Sequence, residues 1–72
     1  MPFVNVRITT GATKEQKEQL VEGITDLLAR VLSKNPASTH VVVEEVPPGN
    51  WGVRGETVES LRAKGVPGIS PK

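Results

Sequence analysis

Apolar and polar side chains alternate near the start of the chain, where Val4, Val6 and Ile8 are separated by Asn5 and Arg7. A period of two among β-branched residues predicts a strand over Phe3–Ile8. Thr9-Thr10-Gly11-Ala12 then predicts a turn, and Thr13 with Gln16 three residues on matches a helix capping box. From there the apolar spacing changes. Leu20, Val21, Ile24, Leu27, Leu28, Val31 and Leu32 form one stripe at helical period. Lys14, Glu15, Lys17, Glu18, Glu22 and Asp26 occupy much of the remaining surface and read as a solvated face. Ser33-Lys34-Asn35-Pro36 stops the helix, because the residue before a proline disfavours the α region. A second apolar run, His40–Val46, predicts a second strand, broken by Pro47-Pro48-Gly49-Asn50. Trp51–Gly55 predicts a short hairpin or an extended arm. Beyond Thr57 one helical turn is expected around Glu59–Arg62. After it come Gly65, Pro67, Gly68 and Pro71, and the tail from about 57 is expected to be mobile or laid over a neighbouring subunit.

Strand, long helix and strand in that order imply a parallel pair joined by a right-handed crossover. The expected fold is therefore α/β: a β-α-β subunit with a two-stranded parallel sheet, one long helix and a short C-terminal hairpin or arm, all in one domain spanning 1–72. One helix covers one face of such a sheet, whereas parallel sheets are normally covered on both. No second long helix is available. Size leads to the same place: 72 residues bury a marginal core. The chain has no cysteine and only one histidine, His40, so disulfides and a structural metal site are both out of reach. An obligate oligomer is expected, with another subunit on the open face.

Charge narrows the class of partner. Nine basic and eight acidic residues leave a net charge of +1, and the only aromatics are Phe3 and Trp51. Nucleic-acid binders usually show a basic stripe or stacking residues, and neither is present. No apolar run nears the roughly 20 residues of a membrane helix, and the N-terminus does not resemble a signal peptide. A cytoplasmic protein without nucleic-acid or membrane partners is expected.

Candidate chemistry is sparse. His40 has no evident triad partners despite Ser33, Ser38, Ser60 and Ser70, and Gly11 stands alone rather than in a phosphate loop. Glu44 and Glu45 are adjacent in a strand and point to opposite faces. The remaining group is the terminus. Met1 precedes a small residue, Pro2, a context in which methionine is usually trimmed to leave a secondary amine at the head of a strand. An α-amino group titrates near about pH 8, and apolar burial or a nearby cation lowers that value. A base poised near neutrality suits proton abstraction next to a carbonyl, and the same amine can form an iminium. On spacing alone, the plainer reading that Pro2 merely starts the chain is the stronger one.

Several features occur in a familiar order from Pro2 to about Glu56. Pro2 opens an apolar strand, Gly11 marks the turn, and Glu15-Gln16-Lys17 is followed by Leu20. Ser38 stands two residues before His40, the second strand ends at Glu45, and Trp51-Gly52 leads to Gly55-Glu56. In this ordered set the chain resembles the 4-oxalocrotonate tautomerase family. The resemblance implies β-α-β subunits that pair and then trimerise into hexamers, with no cofactor. It implies that Pro2 is a general base moving a proton between carbons of a small enol or dienol acid. Ser38 and the backbone near Thr9 would line the substrate pocket, and Trp51 would keep it apolar and lower the proline's pKa.

Two positions depart from the family pattern. Ala12 and His40 stand where the 4-oxalocrotonate enzymes carry arginines that grip the two ends of a dicarboxylate. A neutral imidazole does not replace a guanidinium, though it can donate a hydrogen bond or become cationic below about pH 6.5. Arg54, close to Trp51 in sequence, is the expected replacement cation, ahead of Arg7, which reads as solvent-facing. Plainer roles remain open: His40 at a strand edge, Trp51 as an interface anchor, Ser38 in a turn or cap. The expected function is a tautomerase acting on a small enol or 2-keto acid. The alternatives are a hydratase or dehalogenase of a small unsaturated acid, and an inactive subunit of a hetero-oligomer. Dehalogenating relatives place a carboxylate shortly after the aromatic position, where Gly52 and Val53 stand here.

Overall fold

Two backbone hydrogen bonds frame the main sheet. His40 donates its N–H to the Pro2 carbonyl at 3.0 Å, and Thr10 donates to the Val46 carbonyl at 3.2 Å. They lie at either end of β1 (Phe3–Thr9) and β2 (His40–Val46), which pair side by side and parallel. The computed structural model describes residues 1–69. Between the strands runs α1 (Lys14–Leu32), followed by a 3-10 turn over Pro36–Ser38. A second 3-10 turn, Pro48–Asn50, leads into the hairpin β3 (Gly52–Val53) and β4 (Glu56–Thr57), and then α2 (Val58–Ala63). This is the expected β-α-β subunit with its C-terminal hairpin; β2 keeps its expected limits, and β1 runs one residue further than expected, through Thr9. The chain clusters into two compact units. One holds residues 1–7 and 12–44; the other holds 8–11 and the described residues from Glu45 onward.

In the first unit, the expected capping box opens α1. The Thr13 hydroxyl accepts from the Gln16 N–H at 3.1 Å, while the Gln16 side chain accepts from the Thr13 N–H at 2.9 Å. Such a cap contributes about 1 kcal/mol. The helix ends at Ser33, which takes a left-handed conformation at φ 55 and donates its N–H to the Leu28 carbonyl. No residue of α1 is fully buried, and Val31 and Leu32 remain 64% and 56% exposed. The strands show the period-two burial expected of a sheet covered on one side. Val4, Val6, Val41 and Val43 are half-buried, while Phe3, Asn5, Arg7, His40, Val42 and Glu44 are exposed. On that open face Glu44 accepts from the Asn5 amide at 3.0 Å and pairs with Arg7 at 3.4 Å.

The second unit is anchored by α2. Thr57 caps it, accepting from the Ser60 N–H at 3.1 Å. Val58 and Leu61 are the only buried hydrophobic side chains among the described residues. Each contributes roughly 1.5–3 kcal/mol by leaving water. The hairpin pairs Gly52 with Thr57 and Val53 with Glu56. Its two-residue loop has positive φ at both positions, 59 at Arg54 and 79 at Gly55, as a type I′ turn requires. Gly11, at φ 134, makes the turn after β1 and donates its N–H to the Glu45 carboxylate at 3.1 Å. Glu56 binds the Lys64 ammonium, and that hydrogen bond and charge hold its carboxyl below the usual glutamate range. The helical turn expected near Glu59–Arg62 is α2. The stretch from about 57, expected to be mobile or laid over a neighbour, begins with α2 and its buried Val58 and Leu61; the same expectation for Ser70–Lys72 lies outside the described residues.

Candidate active site

Pro2, Ser38 and His40 belong to the first unit. Pro2 is half-buried at the head of β1, and its carbonyl holds the His40 N–H at 3.0 Å. Residue 2 is thereby tied to the head of β2, with the His40 side chain exposed on the open face of the sheet. Ser38 closes the 3-10 turn, half-buried, and its hydroxyl donates to the Asn35 carbonyl at 3.3 Å. Its oxygen can also accept a hydrogen bond, so the turn role and a substrate contact are compatible. Ala12, half-buried just ahead of the Thr13 cap, carries no charge at the position where the resemblance leads one to look for arginine. Arg7 is paired with Glu44 on the exposed face, in keeping with a solvent-facing role.

The chemistry of Pro2 depends on its nitrogen. With Met1 attached the nitrogen is a tertiary amide and has no useful basicity. With Met1 removed it is a secondary amine, and apolar surroundings favour its neutral, proton-accepting form.

Thr9, Trp51 and Arg54 belong to the second unit. Thr9 and Trp51 line a cavity of about 220 Å³, together with Val53, Val58, Arg62, Gly68 and Ile69. Trp51 is half-buried, and its carbonyl accepts from the Val58 N–H at 2.8 Å, which fixes the aromatic residue to the start of α2. Arg54 is exposed in the hairpin loop and is not part of this lining. Among the described residues, the cation that lines the cavity is Arg62, whose guanidinium donates to the Thr9 hydroxyl at 3.1 Å. Sequence reasoning missed it. The available signal was the spacing of Val58, Leu61 and Arg62, in which a short helix places Arg62 one turn beyond Val58 on the same side. Among the described residues, no cluster of three or more His, Cys, Asp or Glu side chains could hold a metal ion. No helix there is long and apolar enough to cross a membrane.

The profile of the family described as tautomerase enzyme matches residues 2–61. The chain belongs to the tautomerase family. A probable tautomerase of Dickeya dadantii is 56% identical over 63 residues, covering 86% of this chain and 94% of that protein. The crystal structure of DmpI from Helicobacter pylori matches with a TM-score of 0.82 at 46% identity, over 86% of this chain and 97% of that one. A heterohexamer 4-oxalocrotonate tautomerase from Chloroflexus aurantiacus matches with a TM-score of 0.80 at 27% identity, over 86% of this chain and 100% of that one. The tautomerase match begins at Pro2, takes in Ala12, Ser38, His40 and Trp51, and ends one residue short of Arg62. Arg62 is the first residue beyond that match.

Proposed function

We propose that this chain is a cofactor-free isomerase, a keto-enol tautomerase of small enol or 2-keto acids, with Pro2 as general base once Met1 is removed. The carrying observation is a family match that starts at Pro2, a residue held by its own carbonyl at the head of the sheet. In ketonisation the proline amine takes the proton of the enol hydroxyl as the C–O bond becomes a carbonyl. The electrons of the C=C bond then capture a proton at carbon from the resulting prolinium. No net proton is gained or lost. The residues proposed to contact substrate are Ser38, His40, Thr9, Trp51 and Arg54. The match extends through both compact units, which supports reading 1–72 as one domain.

The exposed apolar stripe of α1 and the open sheet face support an oligomer, and the heterohexamer of the Chloroflexus relative supports six subunits; the proposed form is a homohexamer, a trimer of dimers. A cytoplasmic location fits this reading. The uncharged Ala12 supports a second reading, an inactive subunit partnered by an active one in a hetero-oligomer. Hydratase or dehalogenase chemistry is less favoured, since Gly52 and Val53 offer no carboxylate beside Trp51 to activate water.

The test combines intact mass with kinetics. Protein lacking Met1 is expected to ketonise the enol of phenylpyruvate. An alanine inserted ahead of Pro2, which turns its nitrogen into an amide, is expected to lower kcat/KM by about 10²–10⁴. Undiminished turnover in that variant would remove the proline mechanism. No turnover by the trimmed protein alone would favour the inactive-subunit reading.

A further inference from the structure

Arg54 stands in a conformation that its side chain does not favour. It takes φ 59 at the first position of the loop between β3 and β4, and Gly55 takes φ 79 at the second. A left-handed backbone crowds the β-carbon of an L residue and is adopted readily by glycine, and next by asparagine and aspartate. Asn-Gly is the pair that such a turn usually carries. Arginine stands there instead, and among the described residues its exposed side chain makes no hydrogen bond or ion pair that offsets the strain. A strained residue without local contacts to hold it points to a use beyond its own surroundings.

The other three arginines of the chain each have a local role. Arg7 pairs with Glu44, Arg62 donates to the Thr9 hydroxyl, and Arg30 lies in the last turn of α1, where a cation complements the helix carbonyls. The first unit, which carries Pro2, therefore has Arg7 already paired and no charge at Ala12. A guanidinium matches the two oxygens of a carboxylate with parallel N–H donors. In open water that contact gains little; once a protein surface covers it, the lower dielectric makes it stronger. The single chain leaves Arg54 in the open, and the bare stripe of α1 calls for a second copy.

We propose that Arg54 acts across a subunit boundary: from the hairpin tip of one copy it binds the carboxylate of the acid held at Pro2 of another. The inference rests on the tautomerase reading and adds that the site is incomplete within one chain. The left-handed arginine is then kept for recognition at the expense of the turn.

The experiment follows ketonisation of the enols of phenylpyruvate and of its neutral methyl ester by the trimmed, assembled protein. Arg54→Asn gives the turn its preferred pair, so Tm should not fall. The same change should lower kcat/KM for the acid at least about tenfold, through loss of a charge-assisted hydrogen bond, and leave the ester unchanged. Arg54→Lys, which keeps the charge but not the fork, should restore part of the loss. Chains with an alanine inserted ahead of Pro2 lack the base but keep Arg54, whereas Arg54→Asn chains keep the base but lack the cation. Refolded together, the two should form assemblies more active on the acid than Arg54→Asn protein alone, because one site can then combine Pro2 and Arg54 from different chains. Mixed assemblies no more active than Arg54→Asn alone would overturn the proposal, as would an unchanged preference for acid over ester in Arg54→Asn. Either result leaves the tautomerase reading standing. Absence of turnover in the trimmed parent would remove that reading, and this inference with it.

Discussion

The two helices teach opposite lessons. α1 has 19 residues, a complete capping box and a long apolar stripe, yet none of its side chains is fully buried. α2 has six residues and only one predicted turn, yet it carries both buried hydrophobic side chains of the described residues. Periodicity therefore states what an element is able to bury, and not what it buries within its own chain. The second unit carries its own small core. The first presents apolar surface in search of a partner, as expected of a chain too short to complete its own core.

The largest test of this contrast is Leu61→Ala. Leu61 is 2% exposed, and removal of a buried leucine side chain costs about 2–5 kcal/mol. In a domain this small that loss is expected to melt α2. Near-ultraviolet circular dichroism of Trp51 and a denaturant titration would show it. A variant with an unchanged transition midpoint would mean that α2 is not the seat of the core.

Val31→Asp addresses the other helix. Val31 is 64% exposed on the single chain, so a charge there should barely disturb the subunit itself. If a second copy covers the stripe, the same change buries an unpaired carboxylate in the interface. Weakening on the scale of a hot spot, about 2 kcal/mol or more, is then expected. Multi-angle light scattering across a dilution series should show dissociation at higher concentration than in the parent protein. An unaltered assembly would place the interface elsewhere.

What could be read from the sequence follows the range of the physics involved. The start of β1, the limits of β2 and the cap at Thr13 are legible because a few adjacent residues decide them: alternation, a hydroxyl three residues from an amide, a proline at 36. The hairpin is half legible. Gly55 suits its positive φ, but Arg54 occupies the other left-handed position, where asparagine or aspartate would have announced the turn. Burial is not legible, because it depends on what packs over a face. Arg62 was missed for a related reason. A cation in a tail rich in glycine and proline looks solvated until the helix carrying it is set beside Trp51 and Thr9. Pro2 is different again: its spacing says little, and the family match draws attention to it.

The smallest expected effect concerns the rim of the second unit. The Lys64 ammonium holds the Glu56 carboxyl below the usual glutamate range. A carboxyl lowered in the folded state stabilises above its unfolded pKa, and that contribution is lost as pH falls through the lowered value. Tm should therefore fall slightly on acidification below the ordinary glutamate range, and Glu56→Gln should flatten that part of the profile. The pair is solvent-exposed, so high salt should shrink the effect. A slope that persists in Glu56→Gln would assign the acid sensitivity to another carboxylate.

The hydrogen bond at the head of the sheet has a consequence for maturation. It belongs to the carbonyl of Pro2, while Met1 lies beyond it at 88% exposure. An aminopeptidase acting on the single chain can still reach its target residue after the strands have paired, and the cut leaves that pairing in place. The backbone pairing of the single chain therefore imposes no order between trimming and folding. Loss of Met1 would free the proline amine with no rearrangement of the backbone bond that holds residue 2.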